Sequence, residues 1–398
     1  MAPSNIDTFL MNMKLQILQK LLDPSQREDL FHKLLKSFER FSALDNIKYM
    51  QFKTPEGDLP CIICRNNDIS KTRSLKVFVC AQHNEYNGLF ATLQFFENII
   101  DGHLSLDTIL DQQQDLIFFP LMNPYGFLHP SNQNKSGYYL KNGTNLNRYW
   151  RRAFAPESPL SKHDCMGYPL PAHTQFVRST LKPYWDVPTI KIMLLDFHET
   201  SLFERFQMDL FQNLHEKSIT FKFDHWLKEG ILFNIIKLYN IPYYRKPLFY
   251  KCSPSADHSH IKLSMKQLDI VSEKLEEYYA KNKDKLSFYF CYSDKCKDYC
   301  QDMANKVYEK LKYLLWDTYF PAVSHRFHDH GCFVKMSDAT SRENVYTMEL
   351  ESEKHFFNLH EEIQKSKEEP NYFENKLEKI NTAEKLALES IKEMLKLN

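Results

Sequence analysis

The sequence predicts an α/β fold, and three stretches carry that expectation. Val77-Phe78-Val79-Cys80, Leu116-Ile117-Phe118-Phe119-Pro120-Leu121-Met122 and Ile190 to Phe197 are apolar runs of strand length, the pattern of strands covered on both faces. Each runs into chemistry-bearing residues: Gln82-His83-Asn84-Glu85, Asn123-Pro124-Tyr125-Gly126 and Asp196-Phe197-His198-Glu199-Thr200. A helical pattern from Leu89 to Ile100 follows the first run. A strand end that opens onto a helix is where α/β sheets place their ligands.

Composition narrows the class. A chain of 398 residues is long enough for one large domain or two ordinary ones. Its hydrophobic fraction of 43% excludes wholesale disorder. Basic and acidic residues balance at 51 each, with no long basic run, so nucleic acid is not an expected partner. No apolar run reaches membrane-span length, so no membrane partner is expected either. The start, Met1-Ala2-Pro3-Ser4-Asn5-Ile6-Asp7, lacks the cationic opening and cleavage site of a secretory signal. With nine cysteines spread without a disulfide framework, the expectation is reduced thiols in a cytoplasmic protein. Glycine is scarce, yet Gly88, Gly126, Gly143 and Gly331 all fall beside polar motifs. That placement predicts turns that need positive φ or close backbone approach.

Taken in order, residues 4 to 44 read as two amphipathic helices. One carries Leu10, Met13, Ile17 and Leu21, the other Leu30, Leu34, Leu35, Phe38 and Phe41, with Asp23-Pro24-Ser25 between them. Their expected role is packing outside the sheet. Ile47 to Cys64 reads as a hairpin around Pro55-Glu56-Gly57-Asp58. Cys61 and Cys64 have CxxC spacing but no second pair, so buried strand thiols are expected rather than a zinc knuckle. Cys291, Cys296 and Cys300 match no common cluster spacing and read the same way. A helix is expected near His173 to Leu181. Within 201 to 325, helices are expected over Phe221 to Leu238, Met265 to Tyr279 and Lys297 to Leu315, with short strands at 241–244 and 286–290. A fourth long strand covers Asn344 to Leu350. The tail from Lys354 is helical and charged, with a stripe of Leu377, Ile380, Ala387, Ile391 and Met394 that reads as a face docked on its own domain.

Histidine and carboxylate two residues apart in extended chain point to the same side, so His83 and Glu85 could share one metal ion. Four later motifs stand in an order that resembles the zinc carboxypeptidase family, including its succinylglutamate desuccinylase and aspartoacylase branch. The elements are His83-Asn84-Glu85, Asn123-Pro124-Tyr125-Gly126, Asn145-Leu146-Asn147-Arg148, Asp196-Phe197-His198 and Thr347-Met348-Glu349. The resemblance covers about residues 45 to 200 and 325 to 352. It implies a mixed, largely parallel central sheet flanked by helices, with Zn2+ held by His83, Glu85 and His198. It also implies Glu349 as general base, Asn147 and Arg148 gripping a substrate carboxylate, and Asp196 orienting His198.

Three departures from the family pattern stand out. The His–Glu spacing is one residue short, putting Gln82 where the family has histidine. Either the turn is tighter and His83 still serves, or the site is damaged. The arginine that polarises the scissile carbonyl is absent, with Tyr139 at the counted position and Lys141 the nearest cation. The family's late tyrosine has no clear counterpart, the region holding Phe327 within Ser324-His325-Arg326-Phe327-His328-Asp329-His330. The His-rich run could hold a metal weakly or supply the missing cation, but reads first as polar loop. The implied organisation is an N-terminal helical segment (1–44), a catalytic domain (45–352) with a helical insert (201–325) capping the site, and a C-terminal helical segment (353–398). The implied activity is zinc-dependent hydrolysis of an amide bond beside a free carboxylate, in a peptide by a metallocarboxypeptidase. An N-acyl-amino-acid deacylase and an inactive carboxylate-binding relative are the alternatives.

Overall fold

The structure is a computed structural model that describes residues 14–65, 71–131, 133, 135–157, 167–222, 226–246, 260–324, 332–355 and 358–397. The apolar runs become strands, as expected. β1 (Ile47–Thr54) and β2 (Gly57–Cys64) form the hairpin, followed by β3 (Ser74–Val79), β4 (Gln114–Phe119) and β5 (Lys191–Thr200). Short strands β6 (Thr220–Lys222), β7 (Tyr244–Lys246) and β8 (His260–Lys262) make a separate antiparallel sheet. β9 (Phe288–Tyr292), β10 (Ala322–Ser324) and β11 (Val345–Glu353) return to the main sheet. Its order is β1-β2-β4-β3-β5-β11-β9-β10. The four central strands β4, β3, β5 and β11 run parallel. β2 and β9 flank them antiparallel, so the sheet is mixed and largely parallel.

Alternation along these strands sorts the two faces. Phe78, Phe118, Met193, Leu195, Met348 and Leu350 enter one core. It is covered by α1 (Arg27–Glu39), α2 (Asn87–Ile100) and the C-terminal helix, Tyr372–Leu395. Val77, Val79, Ile117, Phe119, Ile192 and Leu194 enter the other, beneath α3 (Ala172–Trp185) and the short helix Trp150–Phe154. Asp196 and His198 on β5, and Thr347, Glu349 and Glu351 on β11, share the parity of this second face. The C-terminal helix buries Ile380, Leu386, Ile391 and Met394. At about 1.5–3 kcal/mol for each such side chain as an upper bound, that contribution is ample for docking on its own domain.

Several expectations need adjustment. Asn123 to Gly126 is not an isolated turn: Asn123 caps the short helix Pro124–Leu128, its Oδ1 accepting from Gly126 N at 2.9 Å. The segment 201–325 is only partly helical. Helices Leu202–His215, Trp226–Leu238 and Met265–Asn282 share a third core with the small sheet. Thr220 to Lys222 is a strand rather than the start of a helix. β9 and β10, from the same segment, pair within the main sheet. The reading of these glycines as positions that need positive φ or close backbone approach holds where described. A Cβ at Gly88 would lie 2.7 Å from Phe197 Cβ, and one at Gly126 would lie 2.1 Å from Gly137 O. Gly143 has φ +77, and Gly331 lies outside the described residues. The seven described cysteines are all free and buried. Among the described residues no helix is long and apolar enough to cross a membrane.

Candidate metal centre

The parallel strands β3, β4, β5 and β11 end along one edge of the sheet, and the motifs collect there. After β3 the chain passes through Ala81 at φ +53, a left-handed conformation uncommon for a residue with a Cβ. Glu85 N then donates to His83 O at 2.9 Å, a γ-turn-like closure. His83 and Glu85 therefore converge through a tight turn and not through extended chain, which corrects the expected geometry. That turn accommodates the shortened spacing. Gln82 is directed elsewhere: its Nε2 donates to Asp196, and its Oε1 accepts from Trp150 Nε1 at 2.7 Å.

Glu85 is the focus. His83 Nδ1 lies 3.2 Å from its Oε1, and His198 Nδ1 lies 3.0 Å from its Oε2. All three residues are buried, and their ligand-type atoms lie within 4.8 Å of one another. The far edges of the imidazoles are occupied by oxygens. His83 Nε2 lies 2.8 Å from Asn145 Oδ1, and His198 Nε2 lies 2.7 Å from Asp196 Oδ2. An oxygen on each Nε2 leaves Nδ1 of each ring as the nitrogen that would offer its lone pair to a shared cation, the arrangement that metal-binding histidines adopt. Tetrahedral zinc with ligand bonds of about 2.0–2.1 Å would separate neighbouring donor atoms by about 3.3 Å. The two Nδ1–Glu85 separations are close to that figure, so the residues fit an open His₂Glu site.

The charge distribution agrees. Burial alone would raise Glu85, but the two imidazoles hold its carboxyl well below the ordinary range. Burial pushes His83 down. Burial would also lower His198, yet Asp196, Glu85 and Glu349 carry it well above its usual value. The same three carboxylates make the pocket negative, which equally attracts a cation. Asp196, His198 and Glu349 form a second trio of ligand-type atoms. The two trios share His198, whose Nδ1 faces Glu85 and whose Nε2 faces Asp196.

Glu349 sits opposite Asp196 in the β11–β5 register, its Oε2 3.7 Å from His198 Nε2. Burial raises its carboxyl. Glu351, two residues on and on the same face, is in hydrogen-bond contact with Glu349 and raised further, by burial and then by Glu349 itself. Each buried carboxyl makes ionisation of the other more costly. Asn147 approaches His198 Nε2 with Nδ2 at 3.2 Å, and its Oδ1 accepts from Phe333 N at 2.8 Å. Arg148 is half-buried, with Nη1 donating to Asn147 O at 2.7 Å.

Sequence reasoning missed four contributors. Asn145 stood inside a quoted motif with no role, and Glu351 was readable only as the next same-face residue after Glu349. Tyr138 stacks on His83 with ring centroids 4.0 Å apart, and its hydroxyl accepts from Asn145 Nδ2 at 3.0 Å. Glu199 accepts from Tyr86 N at 2.7 Å and Asn87 N at 3.0 Å, at the N-terminus of α2. Burial, then Glu85, pushes its carboxyl up to about 7. Neither sequence signal could place these two. Lys141 is exposed, and Tyr139 packs edge-on against Tyr138. Arg326, Phe327 and the His-rich run lie outside the described residues.

No protein-family model and no curated protein matches the sequence. Solved structures do match. A candidate carboxypeptidase A from Shewanella denitrificans is 11% identical, with 92% of this chain and 68% of that one covered and a TM-score of 0.43. A metallo-carboxypeptidase from Pseudomonas aeruginosa, in complex with (2-guanidinoethylmercapto)succinic acid, is 11% identical over 90% of this chain and 68% of that one, at 0.41. A candidate metallopeptidase from Shewanella baltica is 12% identical, covering 93% of both chains, at 0.42. The chain itself has a mixed, largely parallel α/β sheet flanked by helices, with a His₂Glu cluster at the strand ends.

Proposed function

We propose that the protein is a zinc-dependent hydrolase that cleaves an amide bond beside a free carboxylate, acting on peptides as a metallocarboxypeptidase. The observation that carries this reading is the convergence of His83 Nδ1 and His198 Nδ1 on Glu85, with Glu349 in the same buried pocket. Bound zinc would polarise the scissile carbonyl and acidify water. Asn145 and Asp196, accepting at Nε2, favour the tautomer in which Nδ1 would face the metal. Glu349, its basicity raised by burial, accepts a proton from water and passes it to the departing amine. Arg148 presents a guanidinium for the terminal carboxylate, where two parallel hydrogen bonds are available. Asn147 offers its Nδ2 amide hydrogens to the same group. The catalytic unit is assigned to 45–352, with the segment 201–325 included in it. Free, buried cysteines suit a reducing compartment such as the cytoplasm.

The test is metal analysis of the purified protein, then hydrolysis of matched substrates. One zinc per chain and cleavage of a C-terminally free peptide are expected, with loss of cleavage when that terminus is amidated. A tenfold higher kcat/KM on an N-acetyl or N-succinyl amino acid would make the protein a deacylase. Zinc binding without turnover of either substrate would make it an inactive relative.

A further inference from the structure

We infer that Arg27, on α1 and outside the stretch that carries the motifs, is a positioning residue for the metal centre. The inference rests on the metal reading above. Arg27 is 2% exposed, although it belongs to a helix that packs against the outside of the sheet. Its Nη1 donates to Phe127 O at 2.9 Å and to the Tyr86 hydroxyl at 3.2 Å, and its guanidinium lies 5.4 Å from the centre of the Phe127 ring. The Tyr86 hydroxyl in turn donates to Asn84 Oδ1. Asn84 is the single residue between His83 and Glu85, and Tyr86 follows Glu85 directly.

The chain of contacts therefore runs from α1 to the side chain of the one residue that separates the two ligands. Its first bond also fixes the end of the short helix Pro124–Leu128, which follows β4. On the opposite side, Glu199 holds the amides of Tyr86 and Asn87 from the residue next to His198. The ligand loop is thus pinned from β5 and from α1 together. A left-handed Ala81 and a γ-turn give this loop little regular hydrogen bonding of its own, so its shape depends on such external ties.

Burying a guanidinium is costly, and among the described residues no carboxylate pairs with it. Both its acceptors are neutral, and its Nε has no partner. A leucine or methionine would serve packing better at that position. The placement is accounted for by what the guanidinium holds, the spacing of His83 from Glu85.

The experiment is zinc titration of the full-length apoprotein against a competing chelator. The cobalt derivative's d–d spectrum reports the ligand geometry. Tyr86→Phe removes only the hydroxyl node and keeps the ring; Arg27→Met removes the anchor; Arg27→Lys keeps charge and one donor. Tyr86→Phe and Arg27→Met should each weaken zinc about tenfold or more and alter the cobalt spectrum, in the range found when groups behind ligands are removed. The double variant should be no weaker than Arg27→Met alone, because both act through one chain of contacts. Arg27→Lys should recover part of the loss. Zinc affinity within twofold of wild type in Tyr86→Phe, with an unchanged cobalt spectrum, would overturn the inference even if thermal stability fell. Fully additive losses would overturn it as well. A wild type that binds no zinc would overturn the metal reading itself, and this inference with it.

Discussion

Replacing His173 with leucine should stabilise the protein by an amount that grows as the pH falls. His173 lies in the first turn of α3 and is 1% exposed, and neither ring nitrogen has a hydrogen-bond partner among the described residues. Burial pulls its pKa from 6.5 down to about 4. Between those values the unfolded chain binds a proton that the folded protein refuses, so stability is full above 6.5 and is lost as the pH falls toward 4. At ~1.4 kcal/mol per pH unit, the gap from 6.5 to about 4 amounts to about 3.5 kcal/mol. About 2 kcal/mol of that falls between pH 6.5 and pH 5. Leucine carries no such term. Urea unfolding of both proteins at pH 7 and pH 5 gives the difference, in which the other titrating groups cancel. The advantage of His173→Leu should increase by about 2 kcal/mol on going to pH 5. A difference that does not change with pH would refute the reasoning. It would mean that the imidazole takes up its proton in the folded state as readily as in water.

Three further outcomes are expected. Asn145→Leu removes the oxygen on His83 Nε2, and chelator competition should show zinc bound about tenfold to a hundredfold more weakly; unchanged affinity would remove Asn145 from the centre. Glu349→Gln should retain its zinc and lose about a hundredfold to ten-thousandfold in kcat, while an undiminished rate would place the base elsewhere. Gly88→Ala would set a Cβ 2.7 Å from Phe197 Cβ and 2.8 Å from Cys80 Sγ, two atoms of the packed core. Urea unfolding should then show a loss of about 1–3 kcal/mol, and wild-type stability would contradict so close a seating of α2 on β5.

Local physics made much of the fold legible. Strands buried on both faces must be apolar throughout, so β3, β4 and β5 stand out as runs, and β1 and β2 declare their turn through Pro55 and Gly57. The docked stripe of the C-terminal helix follows from helical periodicity and is buried as read. The strand-end residues His83, Glu85 and His198 were recognisable by type and order. Thr220 to Lys222 was misread because a three-residue strand lacks enough alternation to declare itself. β9 was visible as a short apolar stretch, but its antiparallel place beside β11 was not, since that pairing joins strands with their own distinct local patterns.

What the tertiary structure alone decided is which atoms meet. Ligand types and spacing leave open whether Gln82 or His83 faces Glu85; the left-handed turn at Ala81 and the Asp196 side chain resolve it by drawing Gln82 away. Tyr138 over His83, Glu199 under the start of α2 and Arg27 on the Tyr86 hydroxyl are contacts between residues 55 to 113 positions apart along the chain. No periodicity encodes them. Periodicity reports which face of an element is apolar, because burial is a property of one residue and its surroundings on average. A directed hydrogen bond depends on the relative position of two elements to within a few tenths of an ångström, and only the packed sheet and its helices supply that.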